Sequence, residues 1–302
     1  METPQLKLAP GLTARPCRTE DAVAVLAVIN AMEMEFDGEP SADLEDIISE
    51  WSTPGYDADR SSMAVFEGET IVAEAEVWGR RVELAVDPAH RGRGIGTALL
   101  IWSEEAARRD GTGELYQVTS DRDVEGYALL ERHGYVEKAT AWVLKIALAD
   151  APISPTLPSG YAFSAFVPGR DERPLYEVIE TSFRDIADRE DQTFEEWSRH
   201  TLGRSDFDPS LISFVVHDGV PVGAAIGFVF FGEGWVDRLG VARGRRRLGL
   251  GRALLEESFR MFRERGLERG ALSANSDTGA LGLYQRAGMH IDRSYTRRVK
   301  SL

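Results

Sequence analysis

The sequence predicts an α+β (mixed α/β) protein of two homologous domains, and three observations carry that prediction. The stretch "AHRGRGIGTALL" (Ala89–Leu100) returns as "GRRRLGLGRALL" (Gly244–Leu255), so matching positions such as Arg91 and Arg246 stand 155 residues apart. Each copy follows a run of strand-like segments and leads into an amphipathic helix. The 302 residues also suffice for two ordinary domains of roughly 150 residues each.

The elements follow in order along the chain. The first half opens with a strand and the helix "TEDAVAVLAVINAMEMEF" (Thr19–Phe36), whose apolar residues recur at helical spacing. "MAVFEGETIVAEAEV" (Met63–Val77) reads as strand, acidic-Gly turn, strand, and "VELAV" (Val82–Val86) as a further strand. After the glycine stretch, "TALLIWSEEAARRDG" (Thr97–Gly111) ends on a glycine where a C-cap belongs. A strand, a helix and the turn of "LLERHGYVEK" (Leu129–Lys138) close the half. "DAPISPTLPSG" (Asp150–Gly160), with three prolines, reads as a linker. The second half repeats the order with "DERPLYEVIETSF" (Asp171–Phe183), "ISFVVHDGVPVGAAIGF" (Ile212–Phe228), "DRLGV" (Asp237–Val241), "RALLEESFRMFRERG" (Arg252–Gly266) and "LYQRAGMHID" (Leu283–Asp292). The domains are expected at about 1–150 and 151–302.

Composition narrows the function classes. A hydrophobic share of 43% with 28% charged residues is that of a soluble globular chain. The single cysteine, Cys17, leaves no intrachain disulfide framework and no multi-cysteine metal site, which fits a reducing cytoplasm. No charged, apolar leader opens the chain and no long apolar run appears, so neither secretion nor a membrane partner is expected. The formal net charge of -15 repels nucleic acid, so an anion site must be local. The five histidines show no ligand spacing, and no metal is expected.

The two glycine loops supply such a local site. Arg246-Arg247-Leu248-Gly249-Leu250-Gly251 and Arg91-Gly92-Arg93-Gly94-Ile95-Gly96 share the form Arg-x-x-Gly-x-Gly between a strand and a helix. Glycines open conformations closed to other residues and leave successive N–H groups bare. The following helix aims its N-terminus at the same spot, which suits a phosphate or pyrophosphate. Arginines beside the loop, with Arg252 and Thr97 in the first helical turns, add further donors. A P-loop lacks its Gly-Lys-Ser/Thr here, and the third glycine of a dinucleotide fingerprint is Leu99 or Leu254.

Arg-x-x-Gly-x-Gly after a strand ending in Val, with the closing "YQRAGM", resembles the acetyl-CoA signature of the GCN5-related N-acetyltransferases (GNAT superfamily). The tandem layout is similar to that of mycothiol synthase and its relatives. The resemblance implies two GNAT-like domains, each a mostly antiparallel, splayed sheet flanked by helices. It implies that the loop amides bind the CoA pyrophosphate. The splayed strand, Leu239-Gly240-Val241 or Leu84-Ala85-Val86, would pair its backbone with the pantetheine arm. Asn275 or Asp277 would contact that arm.

The resemblance also makes the tyrosine of the last helix the acid that serves the departing thiolate, and Tyr284 holds that place. Leu130 fills the same column of the first half, with Tyr127 one turn earlier, so catalysis is expected in the second domain. The family glutamate on the central strand is replaced by Trp235 and by Arg80. Strand alternation sets Glu233, Trp235 and Asp237 on one face, making Asp237, with Glu233 in reserve, the candidate to orient or deprotonate the amine. Glu83 is expected on the opposite face of its strand and is a poor candidate. The acidic run Asp185, Asp188, Glu190 and Asp191 is a candidate entrance for a cationic amine, with a solvated loop as the plainer reading. The function expected is transfer of an acetyl group from acetyl-CoA to a primary amine of a small molecule, by a monomer or homodimer. The alternative is an acyl-CoA-binding sensor without turnover.

Overall fold

A computed structural model describes residues 6–40, 42–53, 55–184 and 192–302. The acidic run at 185, 188, 190 and 191 therefore lies outside the described residues. The first half of the chain forms β1 (Leu12–Arg15), α1 (Ala22–Phe36), α2 (Leu44–Trp51), α3 (Ala58–Ser61), β2 (Ser62–Glu67), β3 (Thr70–Trp78), β4 (Arg81–Val86), α4 (Ile95–Arg109), β5 (Glu114–Ser120), α5 (Val124–Arg132) and β6 (Val136–Ala147). The second forms β7 (Tyr161–Ala165), α6 (Glu172–Phe183), α7 (Phe194–Thr201), β8 (Ile212–His217), β9 (Val220–Phe230), β10 (Glu233–Val241), α8 (Leu250–Glu264), β11 (Arg269–Asn275), α9 (Leu281–Arg286) and β12 (His290–Ser301). Local chemistry explains the hairpins. Between β8 and β9 the turn is Asp218-Gly219, both at positive φ (51° and 76°), the backbone that suits the twist of a two-residue hairpin.

By contacts the chain divides into two units, Met1–Thr140 with Tyr295–Leu302, and Ala141–Ser294. In the first, β1 to β5 lie side by side, antiparallel except for the parallel pair β4 and β5. In the second, β7, β8, β9, β10 and β11 repeat this, with β10 and β11 parallel. Each sheet is then completed by a strand from the other half of the sequence. Tyr295–Ser301 of β12 pairs with β5, and Ala141–Ala147 of β6 pairs with β11. A cut at residue 150 would separate each unit from its last strand. The proline-rich stretch is also more than a tether, since Ala151 is buried and Ile153 and Leu157 pack on second-unit cores.

Each sheet is covered on both faces. In the first unit α1 and α2 pack on one face through Val25, Val28 and Ile47, and α4 on the other through Ile95, Leu99 and Trp102. In the second, α6 and α7 cover one face through Leu175, Ile179 and Trp197, and α8 the other through Leu255 and Phe259. The apolar stripes of α4 and α8, read from three- and four-residue spacing, are the faces that are buried.

Candidate active site

The site starts where parallel pairing stops. β10 meets β11 only at Gly234, Trp235 and Val236, and β4 meets β5 only at Arg81 and Val82. Beyond those points each central strand splays from its neighbour, so Leu239-Gly240-Val241 and Leu84-Ala85-Val86 keep one backbone edge free. In β10 the pairing with β9 also slips by one residue between Val236 and Arg238. This bulge adds Asp237 to the strand. Gly234 points toward Phe262 of α8 before the bulge, whereas Gly240 points toward Ser182 of α6 after it. The change of phase leaves Asp237 on the same face as Glu233 and Trp235.

The glycine loops lie at the open end of each splay. Gly249 caps α8 with φ 84° and Gly94 caps α4 with φ 79°, and neither helix has a side-chain cap. In α8 the first N–H with a helical acceptor is that of Ala253, bonded to the Gly249 carbonyl at 3.0 Å. The amides of Leu250, Gly251 and Arg252 therefore lie in the orphan first turn. Arg247 adopts φ 64°, where its counterpart Gly92 has φ 72°. An L-residue there costs roughly 1–2 kcal/mol, so the second loop holds a strained arginine where the first has a glycine.

The arginines divide into clamps and free cations. Arg246 donates to the Val241 carbonyl at 3.2 Å and to the Ser182 carbonyl at 2.7 Å, tying the free strand to the end of α6. Arg252 bonds Glu256 at 2.6 Å, and Arg245 donates to the Tyr161 hydroxyl at 3.1 Å. Arg247 lines the cavity with no partner among the described residues. In the first loop Arg91 pairs with Glu35 and stacks on Phe36, and Arg93 bonds Glu67 at 2.8 Å. The first loop's cations are thus taken up by its own carboxylates.

A cavity of about 620 Å³ opens over the second loop, lined among others by Leu239, Gly240, Val241, Arg246, Arg247, Gly249, Leu250, Gly251, Arg252, Asp277 and Tyr284. Of the second-half candidates, Leu248 is exposed and outside the lining, and Asn275 spends its side chain accepting from the Asp277 N–H at 2.9 Å. Tyr284 is buried, and burial pushes its phenol up to about 12. Its hydroxyl has no partner among the described residues. Glu233 and Asp237 do not line the cavity. Glu233 is buried between Arg269 and Lys145, the latter at 3.3 Å. Asp237 is half-buried and takes a 3.3 Å contact from Arg238.

The first unit has a matching cavity of about 580 Å³, lined among others by Leu84, Val86, Arg91, Gly92, Gly94, Ile95, Gly96 and Thr97. Ala85 and Arg93 fall outside its lining. Leu130 is buried in the core, and Tyr127 lies under the Arg298 guanidinium at 4.1 Å rather than in the cavity. β4 is regular, and Glu83 sits opposite Glu76 of β3, on the face that α1 and α2 cover. That is the face corresponding to Asp237 in the second unit, not the opposite one, because β10 carries a bulge where β4 runs in regular register. Sequence reasoning missed Arg132 and Arg286, which line the two cavities from the same column of the repeat. Aligning "LLERHG" with "LYQRAG" holds that signal. Ser182 and Phe183 also line the second cavity, from a helix end that carries no motif.

The geometry fits acetyl-CoA. A free strand edge offers backbone partners, the orphan amides and Arg247 offer donors for an anion, and Tyr284 lines the same cavity. Among the described residues no group of three or more His, Cys, Asp or Glu is placed to hold a metal ion. No described helix is long and apolar enough to cross a membrane.

Known proteins agree with this geometry. The pattern of the Acetyltransferase (GNAT) family matches residues 173–289, and that of an Acetyltransferase (GNAT) domain matches 59–137. A mycothiol acetyltransferase of Saccharomonospora viridis is 30% identical over 298 residues, covering 90% of this chain and 91% of that protein. Another, from Stackebrandtia nassauensis, is 31% identical over 222 residues, 68% of this chain and 70% of that one. A GCN5-related N-acetyltransferase structure from Sphaerobacter thermophilus superposes with a TM-score of 0.81 at 33% identity, covering 98% of this chain and 97% of that one. A tandem GNAT protein of clavulanic acid biosynthesis shares the fold, with a TM-score of 0.73 at 16% identity over 96% of this chain and 98% of that one. With both glycine loops, both splayed sheets and both cavities in place, the chain belongs to the GNAT acetyltransferase family in its tandem form and is an acetyl-CoA-dependent N-acetyltransferase.

Proposed function

We propose that the second unit moves the acetyl group from acetyl-CoA to the primary amine of a small-molecule acceptor, while the first unit does not turn over. The observation that carries this reading is the contrast in one column of the repeat. Tyr284 lines the second cavity, and Leu130 is buried in the first unit's core. Acetyl-CoA brings an activated thioester, and the chain's task is to hold it, receive the amine and manage two protons.

In this reading the free edge of Leu239-Gly240-Val241 holds the pantetheine arm, the amides of Leu250 and Gly251 take the pyrophosphate, and Arg247 and Arg286 add charge. Tyr284 donates a hydrogen bond to the sulfur as it leaves. A phenol raised to about 12 stays protonated throughout the physiological range, so it is always ready as a donor. Its acidity favours hydrogen-bond stabilisation of the thiolate over complete early proton transfer. Asp237, lifted out of the regular ladder by the bulge, orients the incoming ammonium and relays its proton through water. Glu233, held by Arg269 and Lys145, anchors the strand. The relatives' name makes a mycothiol-related amine the first acceptor to assay.

Tyr284→Phe tests the reading. Turnover is expected to fall about 10²-fold or more, within the usual range for a lost proton-transfer group, with acetyl-CoA affinity kept. Unchanged turnover would remove Tyr284 from the reaction. Acetyl-CoA binding without thiol release across an amine panel would favour a sensor instead.

A further inference from the structure

We propose that the α1/α2 face of the first unit is a binding site for a primary ammonium ligand, built on Glu74 and Glu76 of β3 with Glu83 of β4 and Glu50 of α2. The site is separate from both CoA cavities. Alternation along β3 sends Ala73, Ala75 and Val77 into the core under α4, so Glu74 and Glu76 face the other way, with Ala85 and Glu83 as their partners across β4. Glu74 is only 2% exposed, and its Oε2 has no hydrogen-bond partner. Its cross-strand neighbours Ala64 and Ala85 are small, and neither offers a side-chain donor.

Glu76 accepts from the Trp51 indole N–H through Oε1, and the Tyr56 hydroxyl stands beside the same carboxyl. Nearer solvent stand Glu50 and Glu83, and Arg81 pairs with both. Arg81 thus neutralises the outer pair, and neither Glu74 nor Glu76 has a cationic partner among the described residues. A stack of Tyr56 on Trp78, with ring centres 5.6 Å apart, also belongs to this part of the unit.

This arrangement suits an ammonium group. Three N–H donors can meet carboxylate oxygens that are spread apart, and aromatic faces favour a cation or its methylene arm. The cluster is not among groups placed to hold a metal ion. Burial, and then the neighbouring Glu76, Glu83 and Glu50, hold the Glu74 carboxyl well above its ordinary range, so an ammonium group binding there takes the place of the proton that this carboxyl otherwise keeps. The second unit is different: Ala224 and Ile226 occupy the corresponding strand positions, and the face is apolar.

The test uses the full chain without acetyl-CoA, so it stands apart from the transfer reaction. Calorimetric titration at low salt with 1,4-diaminobutane is expected to give saturable binding tighter than about 1 mM, and to raise the melting temperature. Glu74→Gln and Glu76→Gln, which keep side-chain volume, should each weaken binding at least tenfold, and Asp237→Asn should leave it unchanged. If the glutamine variants fold less well, heteronuclear NMR shifts of Trp51 and Trp78 indole groups on diamine addition to the wild type report the same contact. The proposal is overturned by absence of saturable binding, by binding that both glutamine variants retain, or by binding that only Asp237→Asn removes.

Discussion

At the scale of single residues, one tyrosine and one glutamate show how burial sets chemistry. Tyr284 is pushed up by desolvation alone and so remains a neutral donor. Glu76 is pushed up to about 7, chiefly by burial and further by Glu50 and Glu83, with the Trp51 bond opposing. The groups facing it are Glu74 on its own strand, Arg81 and Glu83 on β4, Glu50 on α2, and Tyr56. A carboxyl raised in the folded state is protonated in both states below its ordinary value of 4.5, where it costs nothing. As pH rises from there through 7, the unfolded chain releases the proton and the folded chain keeps it, so stability falls. The wild type is expected to lose roughly 2–3 kcal/mol between pH 5 and 8 through this group. Glu76→Gln should flatten that slope in thermal melts across the range, and an equally steep fall in the variant would refute the assignment.

At the scale of elements, the bulged strand β10 is the part that makes one unit differ from the other. β4 and β10 follow the same course, but the extra residue in β10 brings Asp237 to the α6 face and lets Gly240 approach Ser182 closely. Before the bulge, Gly234 faces Phe262, which is fully buried. A Cβ at Gly234 would lie 2.3 Å from Cγ of that ring. Gly234→Ala is therefore expected to destabilise the second unit by about 1–3 kcal/mol, read as a lower denaturant midpoint with unchanged slope. Because the strain falls on β10, acetyl-CoA affinity should fall with it. A variant as stable as the wild type would show that α8 can shift at no cost.

At the scale of the whole molecule, each sheet draws its last strand from the far half of the sequence. Tyr295–Ser301 pairs with β5, and its side chains reach into the first unit. The Tyr295 hydroxyl donates to Asp37 at 2.7 Å, and Lys300 bonds Glu104 at 2.7 Å. A chain ending at Ser294 strips the first unit of these contacts. The amides of β5, Leu115–Ser120, are then expected to exchange with solvent at least tenfold faster, while those of β9 keep their protection. Unchanged β5 protection would mean that the last strand adds little to that sheet.

Much of this protein is legible in its one-dimensional pattern, and for local reasons. Hydrophobic periodicity marks α4 and α8, and the recurring Arg-x-x-Gly-x-Gly marks both loops, because helical faces and positive-φ turns depend on residues close in sequence. Aligning the copies also sets Tyr284 against Leu130 before any coordinates. Other features depend on which distant segments meet. The exchanged strands could not be read, since backbone hydrogen bonds carry no record of side-chain identity. The bulge in β10, the inward turn of Arg246 toward Ser182, and the face that groups Glu74, Glu76 and Glu83 needed the sheet itself. The sequence determined what each loop is able to bind. The tertiary structure decided which arginines remain free to bind it and which carboxyl, that of Glu74, is left buried without a partner, because neutralisation depends on proximity in space rather than on order along the chain.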